Sequence, residues 1–147
     1  MTPEAANKIN GGCYCGSITF EMELSRSPQE YGPRSCDCDF CLKHGAAYVS
    51  DPHGNLSFHI KEIKSLRKYR QDDTYGIAEF LLCINCGVLV GVIHEDDGKI
   101  FGAVNSLAVE NARFGEKVVV SPRLLARDEK IKRWKQAWFS NVRVAAG

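Results

Sequence analysis

Residues 18–24, Ile-Thr-Phe-Glu-Met-Glu-Leu, alternate strictly between apolar and polar. Ile18, Phe20, Met22 and Leu24 share one face, and a period of two predicts a half-buried strand. Leu56, Phe58 and Ile60 alternate likewise with Ser57 and His59, behind the turn-forming run Asp-Pro-His-Gly-Asn at 51–55. Two largely apolar segments, 78–82 and 88–93, flank Cys83-Ile84-Asn85-Cys86-Gly87, predicting a hairpin with a metal-binding knuckle at its tip. The turn Glu-Asp-Asp-Gly at 95–98 leads to a predicted strand at 100–104, and a further short one is predicted at 117–120. Near the C-terminus Ile131, Trp134 and Trp138 recur at helical spacing behind Asp128 as a cap. Both tryptophans read as core packing. The pattern predicts an all-β protein with one short C-terminal helix.

Composition narrows the class. A length of 147 residues, 44% hydrophobic and 25% charged, fits one soluble domain spanning residues 1–147. No stretch approaches the ~20 consecutive apolar residues of a membrane helix. The first eight residues have no apolar h-region, so a cytoplasmic protein without membrane attachment is expected.

Seven cysteines carry the chemistry. They fall as Cys13-x-Cys15, Cys36-x-Cys38-x-x-Cys41 and Cys83-x-x-Cys86, with none outside a cluster. Sulfurs one or two residues apart converge on one ion with little strain, whereas a disulfide across a single residue is strained. A redox pair would open a helix in a βαβ context, and inert buried cysteines would be scattered. Thiolate ligands at tetrahedral spacing favour zinc. A closed structural site needs four ligands, which Cys13, Cys15, Cys83 and Cys86 supply. Cys36, Cys38 and Cys41 then form a three-ligand site, and an open fourth position is the mark of a catalytic zinc. Two Zn²⁺ per chain are expected. His44 is the rival fourth ligand that would close the second site. Asp37 and Asp39, interleaved with these ligands, read as loop carboxylates facing solvent or backbone N–H groups.

Charge is divided along the chain. Residues 113–147 hold nine Lys/Arg against three Asp/Glu, and residues 1–112 hold ten against fifteen. Seven thiolates around two Zn²⁺ would bring the net +1 to about −2, so no global field favours nucleic acid. The H-x-E and P-C-x-x-C motifs of zinc deaminases are absent.

The segments Gly12-Cys13-Tyr14-Cys15-Gly16-Ser17-Ile18, Cys36-Asp37-Cys38-Asp39-Phe40-Cys41 and Cys83-Ile84-Asn85-Cys86-Gly87 resemble the three motifs of the glutathione-dependent formaldehyde-activating family, to which centromere protein V belongs. The resemblance runs in order over about residues 11–105. It implies coiled β-sheets in a tent-like arrangement, a structural zinc at Cys13, Cys15, Cys83 and Cys86, and a catalytic zinc at Cys36, Cys38 and Cys41. It implies a carbon–sulfur lyase-like reaction of the S-hydroxymethylglutathione synthase kind, with a small thiol such as glutathione as substrate. Arg34, Lys43, His44 and Arg67 are the candidates to hold its carboxylates. Asp37 and Asp39 beside three thiolates would disfavour an anionic substrate. The alternative is a non-catalytic, zinc-stabilised protein-binding module, and ligand count at the middle cluster separates the two.

Overall fold

In the computed structural model, residues 8–70 and 77–147 are described; residues 1–7, part of the start read above as lacking an h-region, lie outside them. The strands are β1 (Lys8–Gly12), β2 (Ile18–Glu23), β3 (Arg34–Cys36), β4 (Ala47–Val49), β5 (Asn55–Ile60) and β6 (Leu66–Arg70). They continue with β7 (Glu79–Cys83), β8 (Leu89–Asp96), β9 (Lys99–Asn105), β10 (Val118–Val120) and β11 (Val142–Ala146). Two α-helices accompany them, α1 (Asp39–His44) and α2 (Arg127–Ala137). No described helix is long and apolar enough to cross a membrane.

Alternation decides which face each strand buries. In β2 Ile18, Phe20 and Met22 are buried while Thr19, Glu21 and Glu23 are exposed. The antiparallel register sets Phe20 opposite Phe58 of β5, and the two rings meet edge-to-face at 5.9 Å. With β1 antiparallel to β2 and β11 parallel to β5, these strands form a four-stranded sheet in the order β1-β2-β5-β11. The remaining seven follow the order β10-β3-β4-β9-β8-β7-β6. The two sheets approach closely at Gly91, where a Cβ would stand 2.9 Å from the Phe58 ring. At roughly 1.5–3 kcal/mol for each large side chain fully buried, this inter-sheet core outweighs exposed ion pairs such as Lys8–Glu23 and Lys64–Glu62, each worth about 0–1 kcal/mol.

The interior strand β8 is buried on both faces from Leu89 to His94, which explains why residues 88–93 read as an unbroken apolar run. Its register against β7 steps from Leu81↔Gly91 to Leu82↔Leu89, leaving Val90 as the extra residue of a bulge. Ile93, Leu81 and Cys83 pack into the inter-sheet core. Leu89, Val92 and Phe80 enter a second core on the outer face, with Phe101, Ala103 and Trp138. The seven-stranded sheet therefore separates two hydrophobic clusters, and each of them contains cysteines.

Several elements depart from the sequence reading. β1, β3, β4, β6 and β11 carry no predicted alternation, being short or polar. The middle cysteine motif is not a loop throughout: Cys38 caps α1, its sulfur accepting the Cys41 N–H, and Gly45 ends the helix at φ 63°. Sulfur replaces the usual Ser, Asp or Asn oxygen there, so the start signal is invisible to a cap search. Asp128 is not the cap of α2. Ala126 holds that position without a side-chain bond, while Asp128 and Glu129 sit in the first turn, where carboxylates suit the helix dipole.

Candidate metal centres

The first cluster joins two turns distant in sequence. Cys13 and Cys15 lie between β1 and β2, where the Cys13 N–H donates to the Ile18 carbonyl at 2.9 Å and the Ile18 N–H reaches Cys13 Sγ at 3.3 Å. Cys83 ends β7, and the Gly87 N–H closes the knuckle onto its carbonyl at 2.8 Å with Gly87 at φ 79°, a conformation glycine reaches without strain. The four sulfurs, of Cys13, Cys15, Cys83 and Cys86, all lie within 4.8 Å of one another. Cys13 and Cys15 are 3.8 Å apart, and Cys15 and Cys83 3.5 Å. Two sulfurs each about 2.3 Å from a tetrahedral zinc stand about 3.8 Å apart, so the donor set matches that ion in number, type and spacing. Hydrogen bonding by Ser17 holds the exposed Cys15 thiol down at about 6, and burial pushes Cys83 up to about 11.

The second cluster is built by one short segment. Cys36 ends β3, Cys38 caps α1 and Cys41 stands in its first turn. Their three sulfurs also lie within 4.8 Å of one another. Cys41 is buried, and the Tyr48 hydroxyl lies 3.2 Å from its sulfur. Crowding acts on the thiols strongly: the neighbouring Cys38 thiol pushes Cys36 up to about 11, and Cys36 and Cys38 together push Cys41 far higher. Three thiolates this close repel unless a cation sits among them. A divalent ion supplies that charge, which makes this set, too, a fit for a metal.

His44 does not join the cluster. It is exposed at the last turn of α1, its ring 4.7 Å from that of Phe40. Asp37 neither faces solvent freely nor joins the sulfurs, because Ser121 Oγ donates to it at 2.6 Å and Arg123 Nε at 3.2 Å. Its charge is thereby offset, which removes part of the expected penalty on anionic substrates. Asp39 is exposed in the first turn of α1.

Two clefts meet at Cys36. The wider, about 900 Å³, is lined by Cys38, Phe40, Lys43 and Tyr69 among others. The narrower, about 450 Å³, is lined by Cys41, Arg34, Tyr48, Trp134 and Trp138. Cys36, Ala78, Phe80, Pro122 and Trp134 belong to both. Of the four basic candidates, Lys43 lines the wider cleft and Arg34 the narrower, while Arg67 lies exposed on β6 outside both. The aromatic walls were not expected from the sequence. Trp134 and Trp138 stack at 4.6 Å and line the cleft as well as pack. Their i, i+4 spacing was the only available signal, and it does not say what the helix face meets.

Over residues 8–140 the chain matches the family model for glutathione-dependent formaldehyde-activating enzymes. A crystal structure of a Rhodobacter sphaeroides protein is similar in fold, with a TM-score of 0.52 and 23% identity over 71% of this chain and 90% of that one. No curated protein shows a significant match. Three cysteine segments in family order, gathered into two sulfur clusters, and a model match across most of the length lead to one conclusion: the chain belongs to the glutathione-dependent formaldehyde-activating enzyme family.

Proposed function

We propose that the protein is a zinc-dependent carbon–sulfur lyase-like enzyme that joins a small thiol to formaldehyde and catalyses the reverse cleavage. Glutathione is the family-level candidate for that thiol, and the cytoplasm the proposed compartment. Cys13, Cys15, Cys83 and Cys86 would hold a structural zinc, and Cys36, Cys38 and Cys41 a second, catalytic one. Family membership supports the reaction class, and one observation carries the assignment of roles: three sulfurs, not four, converge where two clefts meet.

A zinc ion held by Cys36, Cys38 and Cys41 would supply Lewis acidity that lowers the pKa of a substrate thiol while leaving its sulfur nucleophilic. In the reaction a C–S bond forms, the C=O π pair moves to oxygen, and the thiol proton ends on that oxygen as S–CH₂–OH. No electrons are exchanged with a third party. The chain's own groups prepare the site. The Cys41 N–H toward Cys38 Sγ at 3.4 Å and the Tyr48 hydroxyl at Cys41 stabilise sulfur charge. Phe40, Phe80 and Tyr69 wall the wider cleft, with Phe40 stacked on Tyr69 at 5.1 Å, and exclude water from the attacking sulfur. Lys43 adds positive charge to the lining of the wider cleft.

The test is a panel of thiols with formaldehyde, followed by exchange spectroscopy because the uncatalysed adduct forms readily. Acceleration above background that disappears in Cys38→Ala is expected. No acceleration with any thiol, together with unchanged metal-site spectra on adding thiol, would leave the binding-module reading in its place.

A further inference from the structure

The narrower cleft has a chemical character of its own. Trp134, Trp138 and Phe80 form its apolar walls, and Arg34 and Arg133 contribute two cations, with no Asp or Glu in the lining. Arg34 lies two residues before Cys36 on β3, so both side chains leave the same face of the strand. Its register partner on β4 is Tyr48, the residue at Cys41. The guanidinium is half-buried and donates to Ser50 Oγ, which itself donates to the Ala137 carbonyl at 2.7 Å. Among the described residues no carboxylate pairs with Arg34. A cation withdrawn from water without a counter-charge is costly, and Ser50 engages only one of five donors in a fork shaped for a carboxylate.

We propose that Arg34 anchors the carboxylate of the substrate thiol, and that the Trp134–Trp138 stack holds an apolar or aromatic body between carboxylate and sulfur. Resting on the thiol reading above, this names the substrate class: a thiol whose carboxylate is carried on an apolar frame. Arg34, two residues before Cys36 on the same strand face, sets where the carboxylate sits relative to the sulfurs. The flat indole walls set the frame.

The chain has only two tryptophans, and both line this cleft, so intrinsic fluorescence reports its occupancy without any reaction. The metal-loaded protein is titrated with 3-phenylpropionate, which lacks sulfur, and with 3-phenylpropanamide, its neutral counterpart. Saturable quenching by the acid is expected, with the amide at least about tenfold weaker, since a charge-assisted pair is lost. Arg34→Gln should bring the acid down to the level of the amide, and Arg34→Lys should keep part of the difference. Equal binding of acid and amide to the unaltered protein, or no saturable change with either, would overturn the proposal without recourse to any variant. Activity assays with 3-[4-(sulfanylmethyl)phenyl]propionate, whose ring lies between thiol and carboxylate, and with its amide then separate the two readings. A preference for the acid expressed in KM and removed by Arg34→Gln supports the anchor. An equal fall in kcat for both thiols would make Arg34 a compensator of cysteine charge instead, and would sink it. Fluorescence binding of the acid with no thiol acceleration would remove the enzymatic reading while leaving the carboxylate site standing.

Discussion

Tyr48 touches the second cluster through one atom, its hydroxyl 3.2 Å from Cys41 Sγ, while its ring is buried in the outer core. Tyr48→Phe keeps that packing and removes only the hydrogen bond. Partners of metal ligands typically set affinity by about tenfold or more, so competition with a chromogenic chelator should show one of two ions held about tenfold more weakly. The other ion should be unchanged. Asp51 is a second decisive residue, far from the sulfurs. Its buried carboxylate accepts from the Ser25 N–H and hydroxyl, the Tyr31 hydroxyl and the His53 N–H at 2.7–2.8 Å. Burial pushes the carboxyl up, but these four bonds outweigh it, Tyr31 foremost, and the group lies below its ordinary value. A depressed carboxyl contributes stability that is complete above about pH 4, the ordinary Asp value, and is lost as pH falls from there through the folded-state value. Asp51→Asn should therefore lower the melting temperature at neutral pH, by about 1–3 kcal/mol in stability. The difference from the unaltered protein should shrink on acidification through that window, as melts over a pH series would record.

At the level of elements, the two cysteine clusters tie together unequal lengths of chain. The first links the β1–β2 turn to the tip of the β7–β8 hairpin, with Cys15 and Cys83 separated by 68 positions, and Cys13 and Cys83 lie in the inter-sheet core. Cross-linking so long a segment removes much unfolded-chain entropy. Ions bound only in the folded state add their binding free energy to folding. Cys86→Ala or Cys13→Ala should consume most of a stability that for a domain is about 5–15 kcal/mol, giving little cooperative transition. The second cluster spans residues 36–41, one strand end and the first turn of α1. Cys38→Ala removes a ligand and a helix cap worth about 1 kcal/mol, so the fold should survive with one ion fewer. Thermal melts paired with metal content for each variant check both statements. Equal destabilisation by the two kinds of substitution would make the second site structural.

For the whole molecule, the seven-stranded sheet acts as a partition. One face, with Cys83, closes against the four-stranded sheet, and the other, with Cys36 and Cys41, carries the clefts and the indoles of Trp134 in α2 and Trp138 at its C-terminal end. Stripping the native protein with a strong chelator should then proceed in two phases. The ion at the open cluster leaves first, taking thiol chemistry with it while far-UV circular dichroism stays constant, and loss of the second ion coincides with unfolding. A single concerted phase would contradict this separation. The basic C-terminal segment is partly engaged within the molecule, Arg123 with Asp37 and Lys135 with Asp96. Its contribution here is to fasten α2 and the preceding loop beside the clefts, through exposed pairs that solvent screens.

Features that depend on short range are legible in the chain. Strand alternation at Ile18–Phe20–Met22 and Leu56–Phe58–Ile60 names its own buried face, because successive side chains in a strand point oppositely. Spacings of one and two residues bring sulfurs together whatever the rest of the chain does, so the three cysteine groups were legible at once. Even the four-and-three partition followed from ligand count. Tertiary structure alone decided the rest. Strands such as Arg34–Cys36 and Val142–Ala146 form because neighbours offer ladders to them, β11 lying parallel to β5 across most of the chain, and no local pattern encodes a distant partner. Helix α1 rests on a sulfur cap. The second clefts' character came last: Trp134, Trp138, Arg34 and Tyr48 meet only when α2 crosses the outer face of the sheet, since a helix's own periodicity states which residues share a side and leaves to packing what that side will face.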